Sequence, residues 1–459
     1  MRHSFLAELK QLIRLASPLL AAQLLGTGMG VVDTLMSGRY NANDLAAVAV
    51  GSSIWLPLYL LISGLLIATT SMVARYNGSG DYGALVTTAQ QSVWLALAAA
   101  IPCILLLLNV GTLLDWLAVD PAFAGIAGDY LAAIALGLPG AAIFNSLRAF
   151  TEGMGRTMPY MISSAAAFVL NIPLNYGLIY GNWGLPELGG AGCGWATALC
   201  LWVQTALLFW FTSRPADYDG VRLFHQWRRP HWPTIRRVAR LGLPIALAVF
   251  AEVSIFSAIA LLLAPLGALV VASHQIALSV SHLIFMCPLS LSQAITIRVG
   301  YILGRGDQAH ANFIARTGVI GAGLLAISTM SLILAFRHTI VGWYTPDIEV
   351  QAAAAALFVW MAIYQFPDQI QVASNACLRA YQDSRIPLLL ILFSYWGVAI
   401  PLGFLLARTD WLGQAMAAKG FWIGLVAGLT LTAVMLSGRL LRIARRPLAD
   451  GTAPERIAT

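Results

Sequence analysis

The chain has 459 residues, of which 59% are hydrophobic and 10% charged, with a mean hydropathy of +0.76 and a formal net charge of +7. That composition excludes a water-soluble domain, in which about a quarter of residues are charged. It also excludes a basic nucleic-acid-binding domain, because the 27 Lys and Arg are scattered through short connecting segments and read as a topology signal.

Apolar stretches long enough to cross a bilayer as helices, about 20 residues each, begin near residues 11, 44, 84, 123, 158, 191, 237, 268, 310, 350, 386 and 414. The runs are long and unalternated, which selects helices over a barrel. The opening segment MRHSFLAELKQLIRLASPLLAAQ has basic residues followed by a span too long for a signal-peptide core, with no small-residue cleavage pattern. It is expected to be an uncleaved first helix. Arg2, Lys10 and Arg14 precede the first span, Arg439, Arg442, Arg445 and Arg446 follow the last, and Arg75, Arg148, Arg156, Arg305, Arg379 and Arg385 mark alternate loops. The basic segment 214–237 belongs to the same set, so both termini are expected in the cytoplasm. Cysteines 103, 193, 200, 287 and 377 lie in or beside apolar runs without CxxC or Cys/His spacing, which implies neither a metal site nor a disulfide.

A shift of 226 positions aligns LASPLLAAQ with LGLPIALAV and NGSGDYGA with LGRGDQAH, placing Pro18 on Pro244, Gly80 on Gly306 and Asp81 on Asp307. With small gaps, SLRAFTEG (146–153) matches CLRAYQDS (377–384), and NIPLN (171–175) matches AIPLG (399–403). The expectation is an all-α integral membrane protein with twelve transmembrane helices in two pseudo-symmetric six-helix bundles around a central cleft. The expected divisions are an N-terminal bundle at 1–213, a linker loop at 214–236, a C-terminal bundle at 237–438 and a tail at 439–459.

Asp33, Glu252 and Asp368 are the carboxylates that lie well inside the spans, and no Lys or Arg is expected there with them. An ionisable group at mid-bilayer costs roughly 3 kcal/mol on insertion scales, so it normally faces a cavity or a partner. Without an internal countercharge the partner should arrive from outside: Na⁺ or H⁺ in one stage, an organic cation in another. At 1.5 Å rise per residue, Glu252 lies about 16 Å from Leu241 and Asp368 about 15 Å from Leu378, level enough to share a site; Asp33 lies about 27 Å from Leu15.

Tyr364, Asp368, Gln371 and Asn375 recur at helical spacing on one face of span ten. Gln275, Ser279 and His282 do so in span eight, with Phe285 near the same side. Asn171 and Asn175 flank Pro173 in span five, where a proline frees a carbonyl. Gly26, Gly30 and Asp33 form a small-residue stripe that permits close helix approach or ligand access. His274 and His282 read as structural, Asp347 as an external loop charge, and most of the tryptophans as interface anchors. The phosphate-loop lysine pattern is missing, since Lys10 precedes Gln and Lys419 precedes Gly. No GxSxG or HExxH motif appears either, so no enzyme chemistry is indicated and the energy for active transport must come from an ion gradient.

The segments AQLLGTGMGVVDTLMSG, DLAAVAVGSSIWLP, NIPLNYGLIYGNWGLPELGGAGCGWATA, LGLPIALAVFAEVSIF, ASHQIALSVS, TIRVGYILGRG and GFWIGLVAGLT resemble the multidrug and toxic compound extrusion (MATE) transporters of the NorM branch. The resemblance runs through loops as well as spans. It implies a V-shaped cleft between two bundles, location in the bacterial inner membrane as a monomer, and export of cationic lipophilic compounds in exchange for Na⁺ or H⁺ without a cofactor. It also implies that Asp33, Glu252 and Asp368 couple to the cation, with Asn171 and Asn175 as ligands near Asp33, and with Glu252 and Asp368 holding Na⁺ if sodium is the ion. Asp33, Gln275, Phe285, Asp347, Tyr364 and Gln371 are the implied substrate contacts. Phe285 stands where some members have tyrosine, leaving a ring face for a cation, and Asn175 replaces a carboxylate of other branches, which leaves the choice of ion open. The alternative is a lipid-linked oligosaccharide flippase of the same superfamily, which needs cationic residues in its cleft.

Overall fold

A computed structural model of the chain describes residues 4–116, 119–218, 220–411 and 414–446, and every regular element among them is helical. Twelve helices are long and apolar enough to cross a membrane: α1 Phe5–Tyr40, α2 Ala42–Ser79, α3 Tyr82–Leu108, α4 Pro121–Gly153, α5 Met158–Tyr180, α6 Gly190–Thr212, α7 Trp232–Leu266, α8 Ala268–Gly304, α9 Gln308–Tyr344, α10 Ile348–Ala380, α11 Arg385–Arg408 and α12 Ala418–Ala444. Each corresponds to one expected span. The helices run from 23 to 38 residues, whereas about 20 suffice for the hydrocarbon layer. Their ends therefore carry flanking charges on helix rather than on loops. α12 continues to Ala444, past the expected start of the tail at 439, and residues 447–459 of that tail lie outside the described residues.

The strongest sequence repeat has a local physical cause. Gly80 and Gly306 both adopt left-handed backbone, φ +73° and +81°, which a side chain disfavours. The next residues, Asp81 and Asp307, cap α3 and α9 by accepting from Ala84 N at 3.0 Å and His310 N at 2.9 Å. Each Gly-Asp pair thus ends one helix and starts the next, at the same place in both halves of the chain.

Two compact units emerge: residues 17–246 form one, and residues 4–16 with 247–446 form the other among the described residues. The first has an apolar core from α2, α3, α4 and α6, including Leu66, Ala100, Tyr130, Ile134 and Cys193. The second packs α7 through α12 around Phe358, Leu378, Phe421, Trp422 and Leu425, with Leu12 of α1 in the same core. Small residues set some of the approaches. Of the glycines in α1, however, a methyl group at Gly26 or Gly30 would meet nothing within 4 Å, while one at Gly28 would lie 2.8 Å from the Phe168 ring. Close helix approach is thus made at Gly28, off the expected stripe.

Candidate functional site

In the unit of residues 17–246, Asp33 of α1 is 6% exposed and is met by side chains from two other helices. Asn171 and Asn175 are one helical turn apart on α5, so both amides face the same way. Their Nδ2 groups donate to Asp33 Oδ1 at 3.1 and 2.6 Å. From α6, Thr197 Oγ1 donates to Asp33 Oδ2 at 3.0 Å. Asn175 also donates to Asn171 Oδ1 at 3.0 Å, and its own buried Oδ1 has no hydrogen-bond partner. The backbone carbonyl of Asp33 accepts from Ser37 Oγ at 2.6 Å and from Cys193 Sγ at 3.6 Å.

The charge of Asp33 is therefore met by neutral dipoles from both asparagines and the threonine. A proton or cation entering here must compete with those donors. The Thr197 hydroxyl can rotate from donating to accepting, whereas an asparagine must turn its amide over to present an oxygen.

The other unit holds a pair of acids. Asp368 of α10 is 2% exposed and Glu252 of α7 is half-buried. Gln371 lies near both carboxylates, and its Nε2 donates to Tyr395 Oη at 2.9 Å. One turn before Asp368, the Tyr364 hydroxyl donates to Oδ1 at 3.5 Å. Tyr395 belongs to a π-helical turn, Phe393–Ala399, inside α11. Such a turn inserts an extra residue per hydrogen-bonded ring and re-aims the side chains within it.

Two arginines whose places in the sequence read as loop flanks lie within helices, Arg148 near the C-terminal end of α4 and Arg379 at that of α10, both in the segments matched by the repeat. Arg148 Nε is 2.6 Å from Glu152 Oε1, and its guanidinium stacks 4.1 Å above the Tyr160 ring. Arg379 is 8% exposed, donates from Nη2 to Ser292 Oγ at 3.3 Å, and is close enough to Glu252 to attract it. Side chains on a helix lean toward its N-terminus. An arginine at the end of a long helix thus reaches back into the protein, although its place in the sequence reads as a loop flank. The repeat has also diverged here, because Asp383, the counterpart of Glu152, pairs instead with Arg439 at 2.9 Å.

Asp33, Asn171 and Asn175 are thus brought together, as are Glu252, Asp368, Tyr364 and Gln371. The other expected substrate contacts lie on α8 and at the start of α10. Gln275 is exposed and Phe285 half-buried on α8. Exposed Asp347 caps α10, accepting from Glu349 N at 2.9 Å and Val350 N at 3.3 Å. Thr197, Tyr395 and Arg379 were not singled out from the sequence. Tyr395 sits in an apolar run without a polar partner at helical spacing, and Thr197 has only Gln204 seven residues on, so the helix packing reveals their contacts.

Spanning-length helices, an internal duplication and a buried carboxylate centre in each unit define a multi-pass membrane transporter. The chain belongs to the MatE family, whose model matches residues 18–177 and 244–405. It is 46% identical over 449 residues to the multidrug resistance protein PmpM of Pseudomonas aeruginosa, covering 96% of this chain and 92% of that one. It is 42% identical over 444 residues to the multidrug resistance protein MdtK of Cronobacter sakazakii, with 96% and 97% covered. Among solved structures, the eukaryotic MATE transporter AtDTX14 superposes with a TM-score of 0.86 at 22% identity, covering 96% of this chain and 98% of that one. An outward-facing multidrug resistance MATE family transporter superposes with a TM-score of 0.85 at 18% identity, covering 96% and 97%. At those identities the likeness to the solved structures is one of fold.

Proposed function

We propose that this protein exports cationic lipophilic compounds across the bacterial inner membrane in exchange for Na⁺ or H⁺, by alternating access. The observation that carries the reading is a carboxylate centre in each unit, with Asp33 and Asp368 held by neutral amide and hydroxyl donors. In the proposed cycle an organic cation enters from the cytoplasm. An inward-moving ion at Asp33, or at Glu252 and Asp368, then neutralises the acid that held it and favours release outside. One coupling charge crossing the whole field contributes about 2.3 kcal/mol per 100 mV, enough to sustain a useful drug gradient. If sodium is the ion, Glu252, Asp368, Tyr364 and Gln371 supply a set of oxygen ligands suited to a hard monovalent cation.

The flippase reading requires an excess of positive charge for a pyrophosphate. Both buried arginines described above have a carboxylate nearby: Glu152 for Arg148 and Glu252 for Arg379. That leaves no such excess at either place. The test is ethidium efflux from proteoliposomes under an imposed Na⁺ or pH gradient. Efflux driven by one of these gradients and lost in Glu252→Gln and Asp368→Asn is the expected result. Efflux indifferent to both gradients, or unchanged in both variants, would refute the proposal.

A further inference from the structure

Residues 221–231, between α6 and α7, form a fixed strap. Gln90 and Gln91 of α3 are each 0% exposed and grip its backbone. Gln90 Nε2 donates to the carbonyls of Leu223 at 2.7 Å and Gln226 at 2.9 Å, and its Oε1 accepts from Arg228 N at 3.2 Å. Gln91 Nε2 donates to Arg229 O at 3.1 Å and its Oε1 accepts from His231 N at 2.7 Å. Trp94 Nε1 adds a bond to Arg228 O at 3.2 Å. Buried amides that satisfy a chain of loop backbone groups hold that loop in a single conformation.

The strap and the α7 turns that follow it present positive charge. Arg222, Arg229, Arg236 and Arg237 are exposed, and none forms an ion pair with a described residue. Arg237 is also near enough to Arg75 of α2 for the two to repel. Aromatic rings set the level of this patch. Trp227 and Trp232 are 44% and 71% exposed, and the Arg214 guanidinium lies 3.5 Å over the Trp210 ring. Exposed indoles at the ends of spanning helices favour the membrane–water interface, which is also where lipid phosphates lie.

We infer that the strap and the first turns of α7 bind the headgroups of anionic phospholipids. The complementarity is that of like charges fixed side by side at the depth of lipid phosphates, where an arginine offers paired N–H donors to phosphate oxygens.

The test uses the purified full-length protein and reads retained lipid by native mass spectrometry, after equilibration with phosphatidylglycerol or phosphatidylcholine. The wild type should retain phosphatidylglycerol preferentially and lose it in high salt. Each basic residue near a lipid surface changes affinity about fivefold, so R229Q/R236Q should weaken phosphatidylglycerol binding roughly twenty-five-fold. Arg408, an exposed arginine at the end of α11, serves as the control, and R408Q should leave binding unchanged. A second pair, R222Q/R237Q, repeats the measurement should the first variant lose thermal stability. Equal retention of phosphatidylglycerol by both double variants and the wild type would overturn the inference. So would equal retention of phosphatidylcholine, or complete displacement of the lipid by inorganic phosphate, which would assign the patch to a free anion.

Discussion

Asn175 Nδ2 lies 2.6 Å from Asp33 Oδ1, across 142 positions of sequence, and is the shortest of the hydrogen bonds from side chains to that carboxylate. The bond sets donor against incoming ion, since a cation or proton at Oδ1 must displace it. Asn175→Ala removes one charge-assisted hydrogen bond, worth about 2 kcal/mol. The half-maximal ion concentration for efflux should fall about tenfold or more, while Asp33→Asn should lose the dependence of this centre on the ion. An unchanged half-maximal concentration in Asn175→Ala would show that Asp33 takes no part in coupling.

Asn175→Asp tests the same contact from the other direction. Two carboxylates at hydrogen-bond distance in a buried site cannot both stay ionised and must share a proton or a cation. Efflux by this variant is expected to become more dependent on external pH than in the wild type. Superimposable profiles between about pH 5.5 and 8.5 would contradict the assignment.

Gln371 lies beside Glu252 and Asp368, and if it serves them its loss should not add to theirs. Gln371→Leu is expected to lower gradient-driven efflux, and its effect should nearly vanish in an Asp368→Asn background. Double-mutant cycles resolve coupling of about 0.5 kcal/mol or more between contacting residues. A cycle that closes additively would mean the glutamine packs beside the acids without serving them.

Arg379 and Glu252 should depend on one another for stability. Arg379 is buried, and losing it removes its hydrogen bond to Ser292 Oγ and its attraction for Glu252. Arg379→Met should therefore lower the melting temperature in detergent, and adding Glu252→Gln should recover part of that loss. No recovery in the double variant would indicate that Ser292, rather than Glu252, accounts for the place of Arg379.

The Gly-Asp turns should matter for folding alone. Asp81→Ala and Asp307→Ala each remove a helix cap worth about 1 kcal/mol. Both should reduce thermal stability and leave the ion dependence of the remaining active protein unchanged. A shifted ion dependence in either variant would place that turn in the transport machinery.

Much of this architecture was readable from the amino acids in order. Hydropathy located every span because a bilayer demands a long apolar run, and that demand is local to each helix. The paired Gly80-Asp81 and Gly306-Asp307 turns were legible for a similar reason: left-handed backbone and a cap are matters of adjacent residues. Asn171 with Asn175, and Tyr364 with Asp368 and Gln371, declared themselves by helical spacing.

Thr197, Tyr395 and Arg379 escaped that reading because their roles depend on what a different helix brings to them. Thr197 matters since α6 packs beside α1, and Tyr395 since a π-turn directs its hydroxyl to Gln371. Arg379 matters since its side chain leans back along α10 toward Glu252. Residue order decided that acids would be carried into the membrane and on which helices, because burial and periodicity are short-range properties of a chain. The neighbours of each acid came only with the packing of helices distant in sequence. Direct hydrogen bonds and close charge contacts extend only a few ångströms, a range that linear spacing does not encode.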